Sequence, residues 1–246
     1  MDSEAKRRII VALDFDRLDA ACRMARLLAG HVGMFKVGKQ LFTLAGPEGL
    51  RELCALGARF FLDLKYHDIP NTVAGAVRAA VELPGVELLN VHALGGRAMM
   101  EAAVAAMPRG PKRARLLAVT ILTSMDARAM REVGIQGTPH ARAVRLARLA
   151  RECGIDGVVA SPLELRAIRK ACGPKFLLVP QGIRPAGSAF HDQKRIATPT
   201  EAIRDGADYV GVGRAITQAS DPVAAADAIA SEIAEALRDT PKKQTG

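Results

Sequence analysis

Short apolar runs recur along the chain, alternating with longer stretches of helical spacing. The runs hold four to six residues, mostly Val, Ile, Leu and Phe: Ile9–Asp14, Met34–Val37, Phe60–Leu64, Leu88–His92, Leu116–Ile121, Gly157–Ala160, Phe176–Pro180 and Tyr209–Val212. Continuous apolar runs of this length predict strands of a parallel sheet covered on both faces. The stretches between them are Ala-rich and amphipathic. Asp19–Ala29 puts Ala21, Met24, Ala25 and Leu28 on one face. Val73–Leu83, Arg97–Met107, Ala141–Cys153, Pro162–Ala171, Pro199–Gly206 and Pro222–Leu237 behave likewise. Ser161-Pro162, Thr198-Pro199 and Asp221-Pro222 each pair an N-cap side chain with Pro at the first helical position. Eight strands alternating with helices predict an α/β fold, a (β/α)8 TIM barrel. The 246 residues divide into repeats of roughly 31, the size of one βα unit. A doubly wound sheet is the alternative, but no GxGxxG follows the first run. A single domain is expected over 1–239, with a polar tail at 240–246.

Composition narrows the class. Apolar residues make up 49 % of the chain, enough for a large core. Aromatics are only 4 % and Trp is absent, which argues against a stacking platform for nucleic acid. The four cysteines, Cys22, Cys54, Cys153 and Cys172, form no CxxC pair and are too few for a disulfide scaffold. No apolar stretch approaches the ~20 residues of a membrane helix. A cytoplasmic protein with reduced thiols and no membrane partner is expected. The net charge of +9 invites an anionic partner. Residues 109–151 hold ten Lys/Arg against two acids, so that segment carries +8 of the +9. Most of it falls on helix-like faces expected to be solvated outside the barrel.

Charged residues at strand ends are harder to place as surface. Asp14 closes the first run, Lys36 lies inside Met34-Phe35-Lys36-Val37, and Asp63 and Lys65 end the third. Two residues apart on a strand, Asp63 and Lys65 share a face, with Leu62 and Leu64 on the other. If the leucines face the helices, the charges face the barrel mouth, where barrels carry their active sites. For Asp63 and Lys65 alone, a structural ion pair is the plainer reading. Asp68 follows in the loop, and Lys36, Asp63, Lys65 and Asp68 together form an alternating cluster. Such a cluster is costly to bury for stability alone. It reads better as a prearranged electrostatic site. Asp14 has a competing role as a cap for the next helix.

Gly211-Val212-Gly213-Arg214 ends the last strand and opens a helix, a place where barrels often bind phosphate. A long polar segment, Gln181 to Ile196, follows the seventh strand and includes Gly182, Arg184 and Gln193. His67 and His92 lie near strand ends without metal-ligand spacing, so structural roles are the plainer reading. No nucleophile elbow surrounds Ser161 or Ser188.

Asp63-Leu64-Lys65-Tyr66-His67-Asp68-Ile69-Pro70-Asn71-Thr72 resembles the DxKxHDIPNT signature of the orotidine 5′-phosphate decarboxylase family. Lys36-Val37-Gly38, Asn90-Val91-His92-Ala93, Val119-Thr120-Ile121-Leu122-Thr123-Ser124, Gly182-Ile183-Arg184-Pro185, Asp192-Gln193-Lys194-Arg195 and Val212-Gly213-Arg214 extend the resemblance over nearly the whole chain. Ala215 stands where the pattern has Pro. The resemblance implies decarboxylation of orotidine 5′-monophosphate to UMP, with neither metal nor organic cofactor, in a homodimer. It implies that Lys65 protonates C6 and that Asp63 lies beside the substrate carboxylate. Lys36 and Asp68 complete the array, with Asp68 and Thr72 supplied by the other subunit. Asp14 and Lys36 are implied to hold the ribose, Thr123 to lie by the base, and Arg184, Gln193, Gly213 and Arg214 to serve the phosphate. The whole stretch Asp63–Thr72, including Leu64, Tyr66, His67, Ile69, Pro70 and Asn71, is implied to line the substrate site. Related phosphosugar decarboxylases that use a metal share only DxKxxD, so a metal-dependent phosphosugar lyase is the alternative. No nucleic-acid partner is expected.

Overall fold

The structure, a computed structural model, describes residues 3–111, 113–184 and 197–239. Eight parallel strands, β1 (Ile9–Ala12), β2 (Met34–Gly38), β3 (Phe60–Tyr66), β4 (Val86–His92), β5 (Arg115–Val119), β6 (Gly157–Ala160), β7 (Leu177–Pro180) and β8 (Val210–Val212), run in sequence order around a barrel. Strand β8 pairs with β1, joining Ile10 to Gly211 and Val11 to Val212. The seam between β7 and β8 is closed by Asp208. Its N–H donates to the Leu178 carbonyl at 2.9 Å, and its carboxylate accepts the Leu178 N–H at 2.9 Å. Asp156 repeats the arrangement two pairs earlier, between β5 and β6, accepting the Leu116 N–H at 2.8 Å. Each aspartate is held by an arginine, Arg169 or Arg113, at 2.7 Å.

Strand alternation divides the core into two layers. Ile10, Met34, Phe61, Leu88, Leu117, Val119, Val159 and Val179 point inward and fill the barrel. Their strand neighbours Val11, Leu62, Leu89, Ala118, Val158 and Leu178 point outward against the helices. The inner apolar layer is a floor, and whatever points inward above it faces the mouth.

The expected helices are present with shifted ends, and the expected N-caps are made. Ser161 and Thr198 form capping boxes with Glu164 and Glu201, and the Asp221 carboxylate accepts the Ala224 N–H. Two boundaries differ in a way that matters. Strand β1 stops at Ala12, so Asp14 lies beyond it, while β3 extends to Tyr66. The helix Lys39–Ala55 was not expected, because Gly46-Pro47 breaks its pattern; Gly46 adopts φ 57° there and the helix kinks. In the basic segment, Arg128, Arg131, Arg145, Arg148 and Arg151 are exposed on the outer helices. The expected tail, 240–246, lies outside the described residues.

Candidate active site

The mouth carries a chain of alternating charges. Lys36 points inward two residues above Met34, and its ammonium lies 3.0 Å from Asp14 and 3.6 Å from Asp63. The Lys65 ammonium lies 2.6 Å from the other oxygen of Asp63. Asp63 and Lys36 are only 5 % and 8 % exposed, whereas the Asp14 side chain is about half exposed. Burial opposes ionisation of Asp63. Lys36, Lys65 and hydrogen bonds from Lys65 and Asn90 outweigh it and hold the carboxyl below its ordinary range.

The backbone is distorted where these charges meet. The β3–β4 register slips between Leu62 and Tyr66, so four steps of β3 face two of β4. Lys65 has φ 52°, the single positive φ outside glycine among the described residues. Asn90, fully buried on β4, spans the gap. Its Oδ1 accepts the Lys65 N–H at 2.7 Å and its Nδ2 donates to Asp63 at 2.6 Å. Sequence reasoning gave Asn90 no role. The available signal was a lone amide inside the apolar run Leu88-Leu89-Asn90-Val91, at an inward position.

Beside this array lies a cavity of about 420 Å³. Asp14, Lys36, Arg184, Gly213 and Arg214 line it. Arg184 is almost buried, and its burial and the neighbouring Arg214 lower its pKa. Two neighbouring guanidinium groups on one cavity are of the charge that suits an anion. Ile183 pairs with Ala197, and the Arg184 N–H donates to the Ala197 carbonyl at 3.0 Å, which joins the residues on either side of 185–196. Gln193 lies outside the described residues.

The signature decapeptide splits. Asp63 and Lys65 enter the mouth. Leu64 and Tyr66 pack outward against the helix layer, and burial raises the Tyr66 pKa. His67 stacks on His92 with ring centroids 5.4 Å apart. Burial, His67 and nearby lysines push His92 down to about 4, so it is neutral at pH 7. Asp68, Ile69, Pro70, Asn71 and Thr72 are exposed on the rim. The Asp68 carboxylate accepts the Ile69 N–H at 2.6 Å. No ion pair joins it to Lys65 among the described residues. Thr123, half-buried in the connection after β5, is not in the wall of the cavity.

Known proteins match this arrangement over most of the chain. The family model described as orotidine 5′-phosphate decarboxylase / HUMPS family matches residues 7–229. Orotidine 5′-phosphate decarboxylase of Moorella thermoacetica is 55 % identical over 235 residues, covering 93 % of each chain. That of Pelobacter propionicus is 55 % identical over 232 residues, covering 94 % of this chain and 96 % of its own. The crystal structure of the Lactobacillus acidophilus orotidine 5′-phosphate decarboxylase superposes with a TM-score of 0.80 at 39 % identity, covering 92 % of this chain and 99 % of that one. The chain belongs to the orotidine 5′-phosphate decarboxylase / HUMPS family.

Proposed function

We infer that the protein decarboxylates orotidine 5′-monophosphate to UMP and CO2 in pyrimidine biosynthesis. The observation that carries this reading is the Asp14–Lys36–Asp63–Lys65 array beside a cavity with two arginines. Phosphate binds Arg184, Arg214 and the Gly213 backbone, with Gln193 added from the 185–196 segment. Asp14 and Lys36 hold the ribose hydroxyls, which brings C6 to Lys65, and Thr123 lies by the base. The C6–carboxylate bond breaks, CO2 leaves, and the electron pair stays on C6. The fixed Lys65 ammonium stabilises that pair and then donates a proton to it. Water restores the lysine proton. Asp63, kept ionised, faces the substrate carboxylate and is relieved when CO2 departs. Binding of the distant phosphate supplies energy that orders the charges at C6.

The site is completed by a second copy, which contributes Asp68 and Thr72. Support comes from the rim. Ile69, Leu94 and Leu122, on the connections after the neighbouring strands β3, β4 and β5, are 66 %, 40 % and 37 % exposed. Apolar side chains so placed suit a subunit interface. The chemistry takes no metal or organic cofactor, because lysine ammoniums already face the mouth carboxylates. A phosphorylated nucleotide as substrate and four free cysteines support a cytoplasmic location.

Loss of the orotate absorbance on mixing purified protein with the nucleotide, in the presence of a chelator, tests this function. UMP as sole nucleotide product is expected. No turnover, or turnover abolished by the chelator, would overturn it.

A further inference from the structure

Gln181 begins the segment after β7 and continues the inward positions of that strand, two residues beyond Val179. Its carboxamide lies against Gly211 of β8. A Cβ on residue 211 would stand 2.8 Å from both Nε2 and Oε1, so glycine there makes room for this side chain. The Gln181 Nε2 is buried yet finds no acceptor among the described residues. An unpaired buried amide donor is destabilising, because it has lost water and gained no acceptor. It is tolerable where a ligand supplies the acceptor.

Gln181 lines the same cavity as Lys36, Arg184 and Arg214. The arginines suit an anion, and Asp14 with Lys36 suits hydroxyls. What remains on a nucleotide is its base. A carboxamide, with a donor and an acceptor side by side, matches the carbonyl and N–H edge of a pyrimidine. Gly211 is level with Ile10 of the floor layer, below Gly213, which also sets Gln181 deeper than the phosphate wall.

We propose that Gln181 is a base-reading residue, whose side-chain N–H donates to a carbonyl oxygen of the bound pyrimidine. The proposal rests on the decarboxylase reading above. Its test uses the full-length protein, with wild-type turnover of orotidine 5′-monophosphate as the control for that reading. Gln181→Met and Gln181→Leu keep bulk over Gly211 and remove the donor. Binding of UMP and of ribose 5-phosphate, which lacks the base, is measured by calorimetry for all three proteins.

Both variants are expected to bind UMP about tenfold more weakly than wild type, the loss of one well-made hydrogen bond. The KM for orotidine 5′-monophosphate rises in parallel, while kcat stays within about threefold. Ribose 5-phosphate affinity stays within about twofold, which also reports an intact site. Unchanged UMP affinity in an active wild-type background would overturn the proposal. Equal weakening of UMP and ribose 5-phosphate would do so too, since it assigns Gln181 to the phosphate, the ribose or packing. An inactive wild-type protein would instead count against the decarboxylase reading.

Discussion

Asn90 holds Lys65 in a left-handed backbone conformation, accepting its N–H at 2.7 Å at φ 52°. Such a conformation costs a non-glycine residue of order 1–3 kcal/mol and persists only when its surroundings enforce it. The same amide donates to Asp63, so one buried side chain sets both the position of the ammonium and that of its carboxylate partner. Asn90→Ala is expected to lower stability by about 1–3 kcal/mol, through unpaired buried groups. It is also expected to lower kcat by up to roughly 10²-fold, through a misplaced ammonium. Urea unfolding and steady-state kinetics measure the two effects. An Asn90→Ala enzyme with wild-type kcat would show that Lys65 is positioned by something else.

His92 links pH to stability. Its folded pKa, about 4, lies below the unfolded value of about 6.5. Between these values the unfolded chain binds a proton that the folded chain does not. The contribution of His92 is therefore complete above pH 6.5 and is lost as pH falls toward 4. Urea midpoints taken from pH 8 to pH 4.5 should decline, and His92→Asn should flatten that decline. Parallel curves for the two proteins would contradict the assignment.

The proposed sharing of sites between subunits predicts a mixing effect. Lys65→Ala and Asp68→Ala homodimers are each expected to be nearly inactive. If Asp68 acts across the interface, a heterodimer carries one intact site and one doubly defective site. Random exchange of equal amounts then restores about a quarter of wild-type sites. Absence of any recovery after exchange, with subunit mixing verified by mass, would place Asp68 in its own subunit's site.

The arginine wall should act on the phosphate. Arg214→Ala is expected to weaken UMP binding by 10- to 100-fold, the loss of charge-assisted contacts of roughly 1.5–3 kcal/mol. Uridine binding should change little. Equal effects on UMP and uridine would remove Arg214 from the phosphate site.

Much of the fold was legible because short apolar runs and amphipathic stretches alternate along most of the chain. The helix Lys39–Ala55 escaped because Gly46-Pro47 reads as a break, although the chain resumes its helix beyond the kink. Asp63 and Lys65 were legible as a same-face pair on a strand whose leucines turn outward. Asn90 and Gln181 were not. An amide carries no charge to betray it, and its value comes from the register slip beside β4 or the glycine facing β7. Leu64 and Tyr66 belong to a contiguous motif, but alternation sends their side chains to the outer layer. In the basic segment, Arg128, Arg131, Arg145, Arg148 and Arg151 are exposed on outer helices and Arg113 pairs with Asp156, so this charge describes the surface and the barrel seams and not the site.

The central claim is that Lys65 supplies both the charge and the proton at C6, and Lys65→Ala tests it most directly. The measurement is kcat/KM on orotidine 5′-monophosphate, with UMP affinity as the control for an intact site. A fall of at least about 10⁴-fold is expected, from lost acid catalysis and lost electrostatic stabilisation, with UMP still bound. Activity within tenfold of wild type would contradict the account.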